Sequence, residues 1–109
     1  MTMTDRELLE MAAKAAGYVV RWYDDSLAYG PTFGIEVEPG NPSGFEPWNP
    51  LEDDGDAFRL ALCRPGLDLT WVITEAWQAS DDEAERAAYV RRAITETLAR
   101  IGQVMQEKH

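Results

Sequence analysis

Residues 48–61 read WNPLEDDGDAFRLA, the segment of the chain that is densest in residues with special structural roles. Asp53 and Asp54 precede an apolar run, where an aspartate side chain can accept hydrogen bonds from the unpaired N–H groups of a first helical turn. Pro65-Gly66 follows and would end such a helix, since proline cannot continue one. The segment therefore predicts a helix from about Asp56 to Arg64.

Upstream of this helix the sequence predicts one further helix and two strands. Thr4 and Glu7 have the spacing of a capping box, and Gly17 follows where a left-handed residue would end the helix. Residues 18–23 are rich in β-branched and aromatic side chains, and residues 32–38 alternate between apolar and polar. Each of these two segments is predicted to form a strand.

Residues 39–50 contain four prolines and two glycines. Proline has no backbone N–H, so this composition blocks both a helix and a central strand. We predict a loop inside one domain, because the roughly 50 residues on either side would each be marginal as an independent fold.

Residues 67–74 read LDLTWVIT and give the clearest strand pattern in the chain. Apolar and polar residues alternate at first, after which both faces become apolar, as in a strand near the middle of a sheet. Residues 75–78 would either continue this strand or form an edge return.

The C-terminal segment predicts a long amphipathic helix from Asp81 to about Met105. Ser80 and Glu83 have the spacing of a second capping box. An apolar stripe recurs every three or four residues through Ala87, Val90, Ile94, Leu98, Ile101 and Met105. Such a helix would be on the order of 37 Å long. It would either lie across the sheet with frayed last turns, or extend from the domain and form a homodimer.

Together these elements predict the α+β class. The expected architecture is an α/β sandwich, a small mixed β-sheet of about three strands flanked by about three helices, with a long C-terminal helix. A length of 109 residues is that of a single domain, residues 1–109. The hydrophobic content of 45% supports one core, so the net charge of −10 belongs to the surface of a folded chain.

The acidity is concentrated in one part of the chain. Residues 22–58 contain nine carboxylates and no lysine or arginine. Nucleic acid and anionic membranes are repelled by such a surface, whereas a basic protein is attracted. No apolar run approaches the roughly 20 residues that cross a bilayer, a single cysteine forms no internal disulfide, and the N-terminus lacks the regions of a signal peptide. We therefore expect a cytoplasmic protein that binds neither membranes nor nucleic acid directly.

The acidic turn at residues 52–56 is the first candidate site, because clustered carboxylates bind hard cations. Its spacing does not match a calcium loop, and capping of the following helix explains the same residues. The only histidine is His109, so Cys63 has no base beside it and is expected to be a buried thiol within the helix. We predict no metal site, no cofactor and no catalytic activity.

The tryptophans supply a second set of candidates. Trp48 lies in the proline-rich segment, where it would either anchor a protein interface or fold back over the core. Trp22 and Trp71, on predicted strands, are expected in the core. The environment of Trp77, at a predicted strand end, is left open.

Three arginines flank the acidic stretch. Arg21, Arg59 and Arg64 could converge on an anion such as a nucleotide phosphate, because the guanidinium group matches phosphate geometry. Pairing with nearby carboxylates is the alternative, as Arg59 would with Asp56 in the first turn of the predicted helix.

The segment from Trp48 to Ala61 resembles small phage and prophage proteins of uncharacterised function, in which a WNPLxDDGDAxRLA stretch recurs. The special residues that match here are Trp48, Asn49, Pro50, Asp53, Asp54, Gly55, Asp56 and Arg59. Residues 4–9 and 91–94 also look like members of that group. The resemblance implies the phage α/β/α sandwich domain, a helix-flanked sheet, and it brings no active site with it.

From these observations we expect a non-catalytic binding protein of phage or prophage origin in the bacterial cytoplasm. It would engage a basic host protein through its acidic loop face, as a mimic of nucleic-acid phosphates or against a host defence. The candidate binding residues are Trp48, Asp53, Asp54, Asp56, Arg59 and Arg21. One alternative is a binder of a small ligand or nucleotide signal, and another is an enzyme that acts on phosphoesters with carboxylate-bound Mg²⁺.

Overall fold

The computed structural model describes residues 3–23, 31–36, 45–64 and 66–107. In chain order the elements are α1 (Asp5–Ala16), β1 (Val20–Tyr23), β2 (Thr32–Glu36), β3 (Phe45–Trp48), α2 (Asp54–Ala61), α3 (Leu69–Ala79) and α4 (Glu83–Glu107). The predicted α+β class with a small sheet and a long C-terminal helix is confirmed. The predictions for residues 37–44, for Pro65 and for His109 lie outside the described residues.

Helix α1 is capped at both ends as the sequence predicts. The Thr4 hydroxyl accepts a hydrogen bond from the Glu7 N–H, and the Glu7 carboxylate accepts one from the Thr4 N–H. Gly17 has φ 78°, a left-handed conformation that a residue without Cβ adopts freely, and its N–H bonds the last turn. The buried side of α1 consists of Leu8, Leu9, Ala12 and Ala13.

The three strands form an antiparallel sheet in the order β1-β2-β3, so the predicted mixed sheet is wrong. β3 lies in the segment predicted as a loop, and its Pro47 is paired with Gly34. An edge strand tolerates proline because only one of its two sides contributes to the hydrogen-bond ladder. The proline content thus excludes a central strand, as predicted, but leaves an edge strand available.

The two faces of the sheet have different environments. The inner face packs on the core through Val20, Trp22, Phe33, Ile35 and Trp48. On the outer face the rings of Tyr23 and Phe45 are in edge contact, with 6.4 Å between their centroids. The Arg21 guanidinium lies 5.2 Å from the centroid of the same Phe45 ring.

Residues 67–74 were predicted to be the clearest strand, and this prediction is wrong because residues 69–74 are helical. α3 covers Leu69–Ala79. Residues 75–78, which were predicted to continue the strand or form an edge return, are therefore part of the same helix. Asp68 caps it by accepting a hydrogen bond from the Trp71 N–H at 3.0 Å. α3 packs against α4, and its buried residues are Val72 and Ala76, four positions apart. The β-branched residues favour a strand locally, but the helical spacing of the buried pair lets tertiary packing override that propensity.

Helix α4 begins at Glu83, close to the predicted start, but with a different cap. The Asp82 carboxylate accepts a hydrogen bond from the Glu85 N–H at 2.9 Å. Ser80 instead bonds the Asp82 N–H and the Glu85 carboxylate, so the predicted pairing of Ser80 with Glu83 is wrong. Ser80 is followed by Asp81 and Asp82, and each of these residues can cap a helix. The spacing of Ser80 and Glu83 alone did not identify which residue is the cap.

The 25 residues of α4 pack mainly against α1 and also contact α2 and α3. Its main partners are thus helices rather than the sheet. The buried residues are Ile94, Thr95, Leu98, Ala99 and Gly102, which include two members of the predicted stripe. Val104 and Met105 are exposed near the end of the helix, and a homodimer through this end stays a prediction.

Candidate functional site

The acidic turn is built into the start of α2. Asp53 is the N-cap, and its carboxylate accepts a hydrogen bond from the Asp56 N–H at 2.8 Å. The Asp56 carboxylate accepts from the Asn49 N–H at 3.0 Å and pairs with Arg59 at 3.3 Å. Burial raises the pKa of Asp56 above its ordinary value. These contacts show the capping role that the sequence offered as one explanation of the acidic residues, and they show the predicted pair of Asp56 with Arg59.

Asp54 is tied to a distant part of the chain. Its carboxylate lies 2.6 Å from the Arg91 guanidinium on α4. Arg91 also donates from Nε to the Leu51 carbonyl at 2.9 Å. Arg91 therefore links the start of α2 and the turn before it to α4. The sequence did not indicate this role, because Arg91 lies about forty positions from Leu51 and Asp54. The carboxylates of Asp53, Asp54 and Asp56, which were predicted to contact another protein, thus each bond a group within the chain.

Asp53→Ala is expected to reduce the free energy of unfolding by about 1 kcal/mol, because the first turn of α2 loses its cap. Asp53→Asn should change it by only a few tenths, since asparagine caps about as well without the charge. Urea unfolding followed by circular dichroism measures both variants. An equal loss in the two would mean that the charge, and not the cap, is what Asp53 contributes.

Trp48 is only 2% exposed and therefore covers the core. Its ring is in edge contact with Tyr18, with 5.9 Å between centroids, and it is paired with Phe33 on the inner face of the sheet. Arg21 is paired with Gly34, which places it on the outer face. Arg21 and Trp48 consequently lie on opposite faces of the sheet, so the structure does not bring them together around one ligand.

Cys63 is exposed and follows the end of α2, so the prediction of a buried thiol within the helix is wrong. Its sulfur lies 3.4 Å from the Tyr18 hydroxyl and 3.4 Å from the Arg59 carbonyl. Burial, with a further contribution from Cys63, raises the pKa of Tyr18 to about 12. A phenol with so high a pKa stays protonated at neutral pH and does not act as a base towards the thiol.

Metal-binding side chains do not gather in the part of the chain that the structure describes. No group of three or more His, Cys, Asp or Glu side chains is placed to hold an ion there. Among the same residues, no helix has the length and apolarity required to cross a membrane.

In the part of the chain that the structure describes, three large apolar side chains are exposed on α3, two of them tryptophans. Trp71 is 63% exposed, Ile73 47% and Trp77 60%. The expectation that Trp71 belongs to the core is wrong, because the segment is a helix and only one of its sides faces α4. We call these three residues the α3 surface. One signal in the sequence indicates this helix. Asp68 precedes an apolar run and is a good helix cap, but the strand interpretation did not take it into account.

Two grooves run along the contact between α3 and α4, one on each flank of α3. The longer groove has a volume of about 470 Å³, and Trp71 and Tyr89 form part of its walls. The shorter groove has a volume of about 390 Å³ and contains Ile73 and Trp77. The two exposed tryptophans of α3 thus stand in separate grooves.

Arg86 lines the shorter groove beside Trp77. Its guanidinium carbon lies 3.7 Å from the centroid of the Trp77 ring, a stacked cation–π contact. The same group donates to the Ser80 carbonyl at 3.3 Å. Arg86 is therefore engaged within the chain, although it is the first basic residue after a long acidic segment.

The chain around the α3 surface is acidic. Residues 66–85 contain six carboxylates and no lysine or arginine. Along the sequence, α3 thus lies in the second base-free segment of the chain, the first being residues 22–58, whereas in space Arg86, Arg92 and Arg100 of α4 line the grooves beside it.

No family model, curated protein or solved structure matches this chain.

Proposed function

We propose that the chain is a non-catalytic protein-binding module whose α3 surface docks a basic partner protein. The observation that carries this proposal is the exposure of Trp71, Ile73 and Trp77 on one helix, which is held against α4 through Val72 and Ala76. Tryptophan is enriched among the residues that dominate binding energy at interfaces, and each large aromatic ring buries about 150–250 Å² when covered. A helix also presents these side chains from a fixed backbone, which lowers the entropic cost of docking.

The charge of the chain supports a basic partner. The net charge of −10 and the six carboxylates of residues 66–85 attract a positively charged surface and repel nucleic acid and anionic lipid. The carboxylates of Asp53, Asp54 and Asp56 add to this long-range attraction. Because each is held within the fold, the direct contacts are assigned to α3 instead of the acidic turn.

The setting of this activity follows from the sequence resemblance. The likeness of residues 48–61 to phage and prophage proteins supports a host protein as the partner and the bacterial cytoplasm as the compartment. A basic host site that normally binds nucleic-acid phosphates would suit the acidic chain, which would then act as a mimic.

The test is affinity capture from a bacterial lysate with tagged wild-type chain and with the double variant Trp71→Ala/Trp77→Ala. We expect a stoichiometric basic protein with the wild type and a loss of about tenfold or more in the double variant, because the interface anchors are removed. Mass spectrometry and a binding titration with the purified partner measure both effects.

The matched control is Phe58→Ala, which removes an aromatic side chain of similar exposure, 58%, from α2 instead of α3. It should bind the partner like the wild type. Partner binding that survives the double variant, or that is lost equally in Phe58→Ala, would contradict a docking role of the α3 surface.

A further inference from the structure

We infer that the longer groove between α3 and α4 seats a basic amphipathic helix of the partner. The inference rests on the proposed function and specifies the partner element and its place. It also separates the roles of the two exposed tryptophans, since only Trp71 lies in this groove.

The length of the groove suits a helix. On α4 its lining residues run from Tyr89 to Arg100, which is about 17 Å at the rise of an α-helix and equals roughly three turns. On the other side the lining runs from Leu67 to Glu75. The shorter groove is lined on α4 only from Glu83 to Val90, which is about 10 Å, or roughly two turns.

The walls of the groove favour side-chain docking over strand addition. Both walls are formed mainly by helices, whose backbone N–H and C=O groups bond within each helix, so they present no free edge to an extended peptide. A groove between two helices is instead filled by apolar residues spaced at i, i+3, i+4 and i+7 on a third helix. Apolar surface for such contacts is supplied by Leu67, Trp71, Val72, Tyr89 and Ala93.

The charges of the groove favour a basic helix. The lining carboxylates are Asp68, Glu75 and Glu96, and the lining arginines are Arg92 and Arg100. Arg92 is paired with Asp5 at 3.2 Å as well as with Glu96 at 3.5 Å, so its charge is balanced within the chain. The lining itself therefore carries three carboxylates against two arginines, and this excess of one negative charge, in a chain of net charge −10, favours a cationic helix.

A second copy of this chain is the less suitable occupant. It would bring another net charge of −10 against the same surface, and like charges across an interface oppose association.

The experiment titrates the full chain with a fluorescein-labelled 18-residue peptide of leucine and lysine whose leucines repeat at i, i+3, i+4 and i+7. Fluorescence anisotropy at about physiological ionic strength measures binding. Two further peptides serve as probes, one with glutamate in place of every lysine and one with the same leucines and lysines in an order that breaks the apolar face. The protein variants are Trp71→Ala and Trp77→Ala, a matched pair of exposed tryptophans on one helix. Both variants should fold, since alanine is the better helix former.

We expect Trp71→Ala to weaken binding of the amphipathic basic peptide about tenfold and Trp77→Ala to change it less than about twofold. The glutamate peptide and the reordered peptide should each bind at least about tenfold more weakly. Equal binding of the reordered peptide, equal effects of the two variants, or absence of binding would overturn the inference. If the natural partner is lost with Trp77→Ala alone, the proposed function stands and the assignment to the longer groove fails.

Discussion

Gly102→Ala is expected to destabilise the domain by about 3 kcal/mol, although the same change usually stabilises a helix by about 1 kcal/mol. A Cβ atom at Gly102 would lie 1.9 Å from the Met11 carbonyl oxygen and 2.8 Å from the carbonyl carbon. Both atoms belong to the backbone of α1, so no change of rotamer relieves the overlap. The two helices would have to move apart, and the contact between them is the most extensive among the described helices and strands.

Urea unfolding followed by far-ultraviolet circular dichroism measures this loss. Gly55→Ala is the control, because Gly55 is exposed on α2 and a Cβ there meets only side-chain atoms, at 3.2 Å or more. That variant should change the free energy of unfolding by no more than about 1 kcal/mol. A Gly102→Ala variant as stable as the wild type would contradict the close approach of α1 and α4.

Trp48→Ala is expected to lower the free energy of unfolding by about 4 kcal/mol. The side chain is almost fully buried on the inner face of an edge strand, where its removal leaves a large cavity beside Tyr18 and Phe33. Domains of this size have a total stability on the order of 5–15 kcal/mol, so the variant would lose a large share of it. Urea unfolding measures the change.

Trp77→Ala is the comparison for this variant. Trp77 is 60% exposed, and its ring is in a cation–π contact with the Arg86 guanidinium, which contributes about 1 kcal/mol or less at an exposed site. The stability of Trp77→Ala should therefore stay within about 1 kcal/mol of the wild type. A small effect of Trp48→Ala together with a large effect of Trp77→Ala would reverse the assignment of core and surface.

The acidic residues and the exposed aromatics illustrate two kinds of signal in this chain. The clustered carboxylates at residues 53–56 were conspicuous in the sequence, and the structure uses them to cap α2, to bond Asn49 and to hold Arg91. Trp71 was expected in the core and Trp77 was left open, yet the structure exposes both beside grooves. A dense motif is thus no guide to a binding surface when its residues already satisfy one another.

Local chemistry by itself determined several elements of this protein. The ends of α1 follow from Thr4, Glu7 and Gly17, and the start of α2 follows from Asp53, because capping groups act on backbone atoms within three or four residues. The approximate extent of α4 and the net charge were also readable, since periodicity and charge are properties of the chain alone.

Only the tertiary structure decided the rest. Residues 69–74 carry β-branched and apolar side chains that suit a strand, yet they form a helix because Val72 and Ala76 pack on α4. The same contact leaves Trp71 exposed, while pairing with Phe33 buries Trp48. Which side of an element is covered depends on partners far away in the sequence, and neither propensity nor periodicity contains that information.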